Sequence, residues 1–148
     1  MGPTFERPPD DAHYSAHVLH HLGIRARDFA TAKAFYTAAL RPLGIVCFYE
    51  ADDVAEFGHE SGTGPSLSLH GGEPTERLHL AFGASDASAV DAFYAAALGA
   101  GGRDNGPRGP RPQYRAYCAF VFDPDGNNIE ALVKDEIAPA SRSREPLT

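Results

Sequence analysis

Two histidines, His21 and His79, open two copies of one repeated segment. The segments HLGIRARDFATAKAFYTAAL and HLAFGASDASAVDAFYAAAL begin at these residues and are identical at ten of their twenty positions. Packing alone does not require a histidine at the start of each copy, whereas an imidazole is a common metal ligand and a general acid or base. The repeat therefore marks both histidines as candidate functional residues.

Side chains alternate between the two faces of a β-strand, so the sequence assigns each candidate to a face. In VLHHLGIRA the apolar residues share one face, and His21 lies on the other. His79 opposes the apolar residues of LHLAFGA, and Glu130 opposes those of NNIEALVK. His20 shares the apolar face of its strand, so we expect it to be a core or half-buried histidine. The three candidates are predicted to point away from the helix-packed faces.

Two imidazoles and one carboxylate form a ligand set that leaves coordination positions open. Such a set suits Fe(II), Mn(II) or Zn(II). The competing hypothesis is that these residues are ordinary surface or core side chains, since the three strands are far apart in sequence and their spacing carries no signature. On the pattern alone both hypotheses stay open.

The elements that must position these residues follow from the same repeat. Asp28 and Asp86 are placed to cap Ala-rich helices over residues 29–40 and 86–98. Three strand-like runs are expected after each helix, and the connection DPDGN before the last of them is typical of a turn. Each half is thus predicted to be strand, helix and three strands, which gives an α+β fold.

Neither half can bury both faces of its sheet alone, so the halves should pack together. We place one module at residues 17–72 and the other at 77–135. The Pro-rich, polar segments 1–16 and 136–148 are interpreted as loose tails.

Composition excludes several classes of protein. A formal net charge of -7 argues against nucleic acid as the main partner. No apolar run is long enough for a membrane span, and the N-terminal residues lack the apolar region of a secretory signal. Cys47 and Cys118 each lie inside an apolar run, as expected of buried free thiols in a reducing compartment. We therefore expect a soluble cytoplasmic protein.

One basic segment stands out against the acidic total. The Gly/Pro-rich stretch GGRDNGPRGPRPQYR contains Arg103, Arg108, Arg111 and Arg115 and a single acid. The favoured interpretation is a solvated loop. The alternative is a positive lip over a site for an anionic small molecule.

The chain resembles the vicinal-oxygen-chelate superfamily, which includes glyoxalase I, extradiol dioxygenases, fosfomycin-resistance enzymes and bleomycin-binding proteins. The resemblance covers about residues 17–135 and is carried by HLGIRARD before AFYTAAL, HLAFGASD before AFYAAAL, and FVFDPDGNNIEAL. It implies two tandem βαβββ modules forming a curled mixed sheet around a cleft, often in a homodimer. The short catechol-dioxygenase-like or lactoylglutathione-lyase-like members are the most similar.

Carried over by position, the family's metal ligands fall on His21, His79 and Glu130. The resemblance implies a divalent ion, with Fe, Mn, Zn and Ni as the alternatives. A further carboxylate, which acts as the base of glyoxalase I, is absent, because Ser68 occupies its position. A serine does not abstract a carbon-bound proton at neutral pH. His70 lies two residues further on the same face and is a candidate substitute.

An extradiol dioxygenase would need further acid–base groups near the metal. Tyr114 and Tyr117 are the candidates for these catalytic roles, with Arg115 for a substrate anion. The alternative is that both tyrosines are aromatic residues at the rim.

Two functions remain after this comparison. One is a divalent-metal-dependent enzyme, a dioxygenase, lyase or transferase, that acts on a small substrate with vicinal oxygens. The other is a metal-free protein of the bleomycin-resistance type that binds or sequesters a small molecule.

Overall fold

The computed structural model describes residues 17–135. The two predicted tails lie outside these described residues. Each half contains a strand, a helix and three further strands. The first half comprises β1 (His21–Ala26), α1 (Phe29–Leu40), β2 (Ile45–Ala51), β3 (Val54–His59) and β4 (Ser66–Gly71). The second comprises β5 (His79–Gly83), α2 (Ala87–Gly99), β6 (Arg103–Arg111), β7 (Ala116–Phe122) and β8 (Asn128–Lys134).

The strands form two four-stranded mixed sheets of equivalent topology. The orders are β1-β4-β3-β2 in the first sheet and β5-β8-β7-β6 in the second. The first strand of each module pairs in parallel with the last, and the remaining pairs are antiparallel. The predicted α+β class with two βαβββ modules is confirmed. Each parallel pair brings the start of a module beside its end, which places His79 and Glu130 on adjacent strands of the second sheet, while His21 lies on the first.

An aspartate of the repeat begins each helix. The carboxylate of Asp28 accepts a hydrogen bond from the backbone N of Thr31 at 3.1 Å, and that of Asp86 accepts one from Ala89 N at 2.9 Å. Hydrogen bonds to the ionised carboxylates lower the pKa of both side chains, through Thr31 for Asp28 and chiefly through Ser88 for Asp86. The two aspartates are therefore identical in the repeat because each satisfies backbone donors that the first helical turn leaves free.

The helices bury the aromatic residues of the repeat in one core that both modules share. Phe35, Tyr36 and Phe93 are fully buried, and Tyr94 is half-buried. The leucines that close the two helices differ, since Leu40 is fully buried whereas Leu98 is 37% exposed. In α2 the preceding alanine takes the buried position, so a large side chain is not needed there.

A buried polar cluster connects the turn between β7 and β8 to the first helix by hydrogen bonds. Tyr36 Oη donates to Asp123 Oδ2 at 2.6 Å, and Asp123 is 3% exposed. Asn127 is also buried, accepts from Leu78 N at 3.0 Å, and donates to the carbonyl of Thr75 at 2.8 Å. The motif DPDGN therefore links the modules as well as turning the chain.

The Gly/Pro-rich stretch is a strand over most of its length, which supplies the third strand expected after the second helix and corrects the interpretation of the whole stretch as a solvated loop. Among the strands of residues 17–135, β6 pairs with β7 alone, and its register shifts between Asp104 and Gly106 and again between Gly106 and Gly109. Proline is tolerated at such an edge because one row of backbone N–H groups has no strand partner. At Gly106, with φ 146°, a Cβ atom would lie 3.0 Å from the ring of Phe120. Glycine therefore allows the strand to approach that ring.

Among residues 17–135, no helix is long and apolar enough to cross a membrane.

Candidate functional site

Each sheet has an apolar face against the helices and a polar face on the other side. On β1, Ile24 and Ala26 are buried while His21 and Arg25 are exposed. On β8, Ile129 and Ala131 are buried in the same way. This is the alternation that the sequence predicts, and it separates the candidate side chains from the core.

On the second sheet, His79 and Glu130 contact each other. His79 Nε2 lies 2.8 Å from Glu130 Oε2, and the two side chains are 55% and 12% exposed. Glu130 pairs in register with Ala81, and His79 pairs with Asn128. The parallel pairing therefore brings together an imidazole and a carboxylate that are 51 residues apart in sequence.

His21 lies on the first sheet and does not join that pair. Its side chain is exposed, and its Nδ1 lies 3.0 Å from Nδ1 of His20. Within residues 17–135, no three His, Cys, Asp or Glu side chains are close enough to hold a metal ion. One chain thus assembles two of the three predicted ligands. The complete set of three stays a prediction.

The burial of His20 differs from the prediction. The alternation predicts a core or half-buried histidine, but His20 is exposed and contacts the ring of His21 edge-on. It precedes the first paired residue of β1, so the alternation of the strand does not yet apply to it.

The polar face of the first sheet carries a carboxylate that the sequence does not single out. Glu56 on β3 lies opposite Ser68 on β4. Ser68 Oγ donates to Glu56 Oε1, and His70 Nε2 lies 3.2 Å from the same Ser68 oxygen. The sequence predicts that Ser68 and His70 share a face. The alternation of the strand could have assigned Glu56 to this face, since it stands between the buried Ala55 and Phe57. Its contact with β4 depends on the strand register.

Tyr117 lies away from Glu130. It pairs in register with Val133, and its hydroxyl donates to Asp91 Oδ1 on α2 at 2.7 Å. This hydrogen bond, followed by burial and the charge of Asp91, raises the pKa of Tyr117. These contacts favour a role in packing α2 onto the sheet.

Tyr114 and Arg115 lie between β6 and β7. Tyr114 is 59% exposed, and its carbonyl accepts from Lys134 Nζ at 2.7 Å. Arg115 is exposed and adopts a left-handed backbone conformation with φ 50°. The predicted catalytic roles of Tyr114, Tyr117 and Arg115 stay predictions.

The arginines of the basic segment do not form one continuous positive surface, because they contact different elements. The guanidinium of Arg111 lies 5.8 Å from the ring centre of Phe120, the residue that pairs with Glu130. Arg103 lies 5.3 Å from the ring centre of Phe122 on the same strand. Arg108 instead approaches Asp91 on α2, with 3.6 Å between Nη1 and Oδ2. Arg103 and Arg111 thus border the face that holds His79 and Glu130.

Cys118 lies close enough to Glu130 to be affected by its charge. The thiol is fully buried, and burial, followed by the nearby carboxylate, raises its pKa. It therefore stays protonated at neutral pH, when it is a weak nucleophile and metal ligand.

Two of the cavities in the described part of the chain lie beside the first sheet, and His79 and Glu130 are in the wall of neither. One of about 260 Å³ is bounded by the strands of the first sheet and by β5 and is mostly apolar, with Leu22, Phe57 and Phe82 in its wall. The other, of about 490 Å³, lies beside His20 and His59. In the His79–Glu130 pair the histidine side chain is more than half exposed, whereas the glutamate side chain is largely covered.

A protein-family model, described as the Glyoxalase/Bleomycin resistance protein/Dioxygenase superfamily, matches residues 18–131. No curated protein matches the chain. A glyoxalase/bleomycin resistance protein from Albidiferax ferrireducens is 27% identical, with a TM-score of 0.68 over 80% of this chain and 100% of that one.

Two more distant structures share the fold alone. A glyoxalase/bleomycin resistance protein/dioxygenase family enzyme from Burkholderia phytofirmans is 18% identical, with a TM-score of 0.60 over 76% of this chain and 94% of that one. A V278E mutant of glyoxalase I from Zea mays is 20% identical, with a TM-score of 0.58 over 79% of this chain and 45% of that one.

Proposed function

This chain belongs to the glyoxalase, bleomycin resistance protein and dioxygenase superfamily, and we propose that it is a divalent-metal-dependent enzyme acting on a small substrate with vicinal oxygens. The observation that carries this proposal is the His79–Glu130 pair, with 2.8 Å between Nε2 and Oε2 on the face of the second sheet that lies away from the helices. An imidazole and a carboxylate that already touch need little rearrangement to share one cation. The reaction would be of the dioxygenase, lyase or transferase type.

The donor chemistry fits a divalent ion. His79 and Glu130 would hold it, with His21 as the third ligand, and the mixture of nitrogen and oxygen donors suits Fe, Mn, Zn or Ni. When bound, such an ion supplies Lewis acidity that polarises a substrate oxygen. The remaining coordination positions would be open to substrate and water.

The position of His21, the third ligand, leads to a proposal about how two chains assemble. Both helices pack into one shared core, which leaves the polar face of each sheet on its outer side. His21 belongs to one face, and His79 and Glu130 belong to the other. We propose a homodimer in which the first sheet of one protomer faces the second sheet of its partner, so that the partner subunit's His21 completes the site.

The surrounding side chains suit an anionic substrate. Arg111 lies over the ring of Phe120, which pairs with Glu130, and Arg103 lies over the ring of Phe122 two residues further along. Neither arginine forms an ion pair with a carboxylate within residues 17–135. Three backbone carbonyls, of Pro107, Gly109 and Pro110, hold the Arg111 guanidinium in place. A positive group held in this way would orient a substrate anion without taking part in the reaction.

The second candidate is a metal-free binding protein, and the mostly apolar cavity of about 260 Å³ favours it. Such a cavity would hold a small apolar group without any metal. In that case His79 and Glu130 would form an ordinary surface ion pair.

Metal titration separates the two candidates. The untagged protein would be stripped of metal and titrated by calorimetry with Mn(II), Fe(II), Zn(II) and Ni(II). Beside it, Glu130→Gln would be titrated, together with Glu73→Gln as a control that removes the same charge from an exposed residue. We expect the parent and the control to bind metal, and Glu130→Gln to lose metal affinity by about 100-fold or more. Removing a residue that only hydrogen-bonds to a ligand already lowers metal affinity by about 10- to 100-fold, and Glu130 would be a ligand itself. Equal binding by all three proteins, or none, would favour the metal-free candidate.

A cytoplasmic location is also a proposal. It is supported by Cys47 and Cys118, which are both free thiols.

A further inference from the structure

We propose that Glu56 accepts a proton from a hydroxyl group of the bound substrate, and that Ser68 and His70 hold Glu56 in position. This inference rests on the proposed function, because it assigns a proton acceptor to that site. It also supplies the carboxylate that the serine at position 68 leaves missing.

The first step is the contact between Glu56 and Ser68. The two residues lie opposite each other on β3 and β4, and Ser68 Oγ donates to Glu56 Oε1. Ser68 is 8% exposed, so solvent barely competes for its hydroxyl. A serine has one hydrogen to donate and an ionised carboxylate only accepts, so the hydroxyl hydrogen is committed to Glu56.

The second step concerns His70. Its Nε2 atom lies 3.2 Å from Ser68 Oγ, whose only hydrogen already points to Glu56. The ring nitrogen must therefore carry a hydrogen and donate it to the serine oxygen. The hydrogen bonds run in one direction, from His70 to Ser68 to Glu56, and fix the orientation of the carboxylate.

The third step concerns the second carboxylate oxygen of Glu56, Oε2. Within residues 17–135, Glu56 Oε2 accepts no hydrogen bond, and no cationic side chain lies within ion-pairing distance of it. Glu56 is half-buried and remains accessible. Across the sheet, Ser68 is also opposite Gly23, where a Cβ atom would meet nothing within 4 Å. There is thus open space beside this row, on the face that carries His21.

The proton transfer is balanced without another reactant. The O–H bond of a substrate hydroxyl breaks, its electron pair stays on the substrate oxygen, and the proton forms an O–H bond with Glu56 Oε2. Glu56 becomes neutral and can return the proton to the product. A substrate with two adjacent hydroxyls, or a hydroxyl beside a carbonyl, is the chemical class that this acceptor suits.

A coloured diol tests the assignment without turnover. The probe is 4-nitrocatechol, whose absorption moves to longer wavelength when its second hydroxyl ionises. It would be added to the Zn(II)-loaded protein at a pH at which the free probe has lost one proton only. The parent and Glu73→Gln should bind it with the shifted spectrum. Glu56→Gln should bind Zn(II) as the parent does, but should bind the probe at least about tenfold more weakly and without the shift.

Two further variants test the positioning residues. Ser68→Ala should show a smaller loss of the shifted spectrum than Glu56→Gln, because it frees the carboxylate without removing it. A shifted spectrum that survives in Glu56→Gln but disappears in His70→Ala would assign the proton to His70 and overturn the proposal. No shift in the parent would also overturn it.

The same measurement with EDTA separates this inference from the proposed function. A Glu56-dependent shift that persists in EDTA would support the proton acceptor and contradict the metal-dependent enzyme. Tight Zn(II) binding with no effect of Glu56→Gln on the spectrum would leave the proposed function standing and contradict the role of Glu56.

Discussion

The polar faces of the two sheets place their carboxylates on different strands. On the second sheet the row across the strands is Ala81, Glu130 and Phe120. On the first sheet the equivalent row is Gly23, Ser68 and Glu56. The second row puts its acid beside a histidine of the neighbouring strand, whereas the first puts its acid one strand further away, against a serine. The duplicated fold thus carries two different arrangements. We propose that the His79–Glu130 arrangement binds a cation and that the Glu56–Ser68 arrangement accepts a proton.

The largest expected difference between the two sheets is in how substitutions on them change metal affinity. We expect His79→Ala to reduce affinity for Zn(II) by about 100-fold or more, since it removes a ligand and not an outer-shell group. His59→Ala removes an exposed histidine of the other module, whose Nδ1 lies 2.6 Å from Ser61 Oγ, and should leave the affinity unchanged. Calorimetric titration of both variants measures this. Equal losses would mean that the two faces do not differ as described.

The tyrosines of the repeat should show the next largest difference. Tyr36→Phe leaves the buried carboxylate of Asp123 without its hydroxyl donor, so we expect the free energy of unfolding to fall by about 1–3 kcal/mol. Tyr94→Phe removes the equivalent hydroxyl of the second copy, which donates to the exposed Asp104 at 3.0 Å, and should cost less than about 1 kcal/mol. Urea unfolding gives both values. A cost for Tyr94→Phe as large as for Tyr36→Phe would contradict the link between the modules.

The helix caps should show the smallest difference, because here the two copies are alike. Interactions of the ionised caps lower the pKa of Asp28 and Asp86 from its usual value of 3.8. Since the folded pKa is the lower one, the contribution to stability is present above the unfolded value and is lost as the pH falls through the folded value. Asp28→Ala and Asp86→Ala should therefore lower the Tm at pH 7 by similar amounts, and by less as the pH falls below 3.8 in thermal melts. A penalty that did not change with pH would rule out the charged caps.

The sequence predicts the fold well because its signals are local. The repeated aspartates, the Ala-rich helices and the alternating strands each involve only neighbouring residues, and all agree with one architecture. The same alternation assigns His21, His79 and Glu130 to polar faces.

Where the sequence fails, tertiary structure decides. The full length of strand β6 is not predicted, because its glycines and prolines are rare in strands and are accommodated here at a sheet edge with two register shifts. Glu56 is passed over because its significance depends on pairing with Ser68, 12 residues away on another strand. The distance of His21 from Glu130 depends on how two sheets pack, and no local pattern encodes that.

The central claim is the proposal that the metal site is shared between two protomers, and mixing two variants that each lack one proposed ligand tests it most directly. His21→Ala and Glu130→Gln would be unfolded together at equal concentration, refolded, and analysed for bound Zn(II). A shared site predicts that each variant alone binds little, whereas the mixture recovers about one quarter of the parental sites, since half of the dimers are mixed and each has one intact site. A mixture that binds no more Zn(II) than the separate variants would contradict the account.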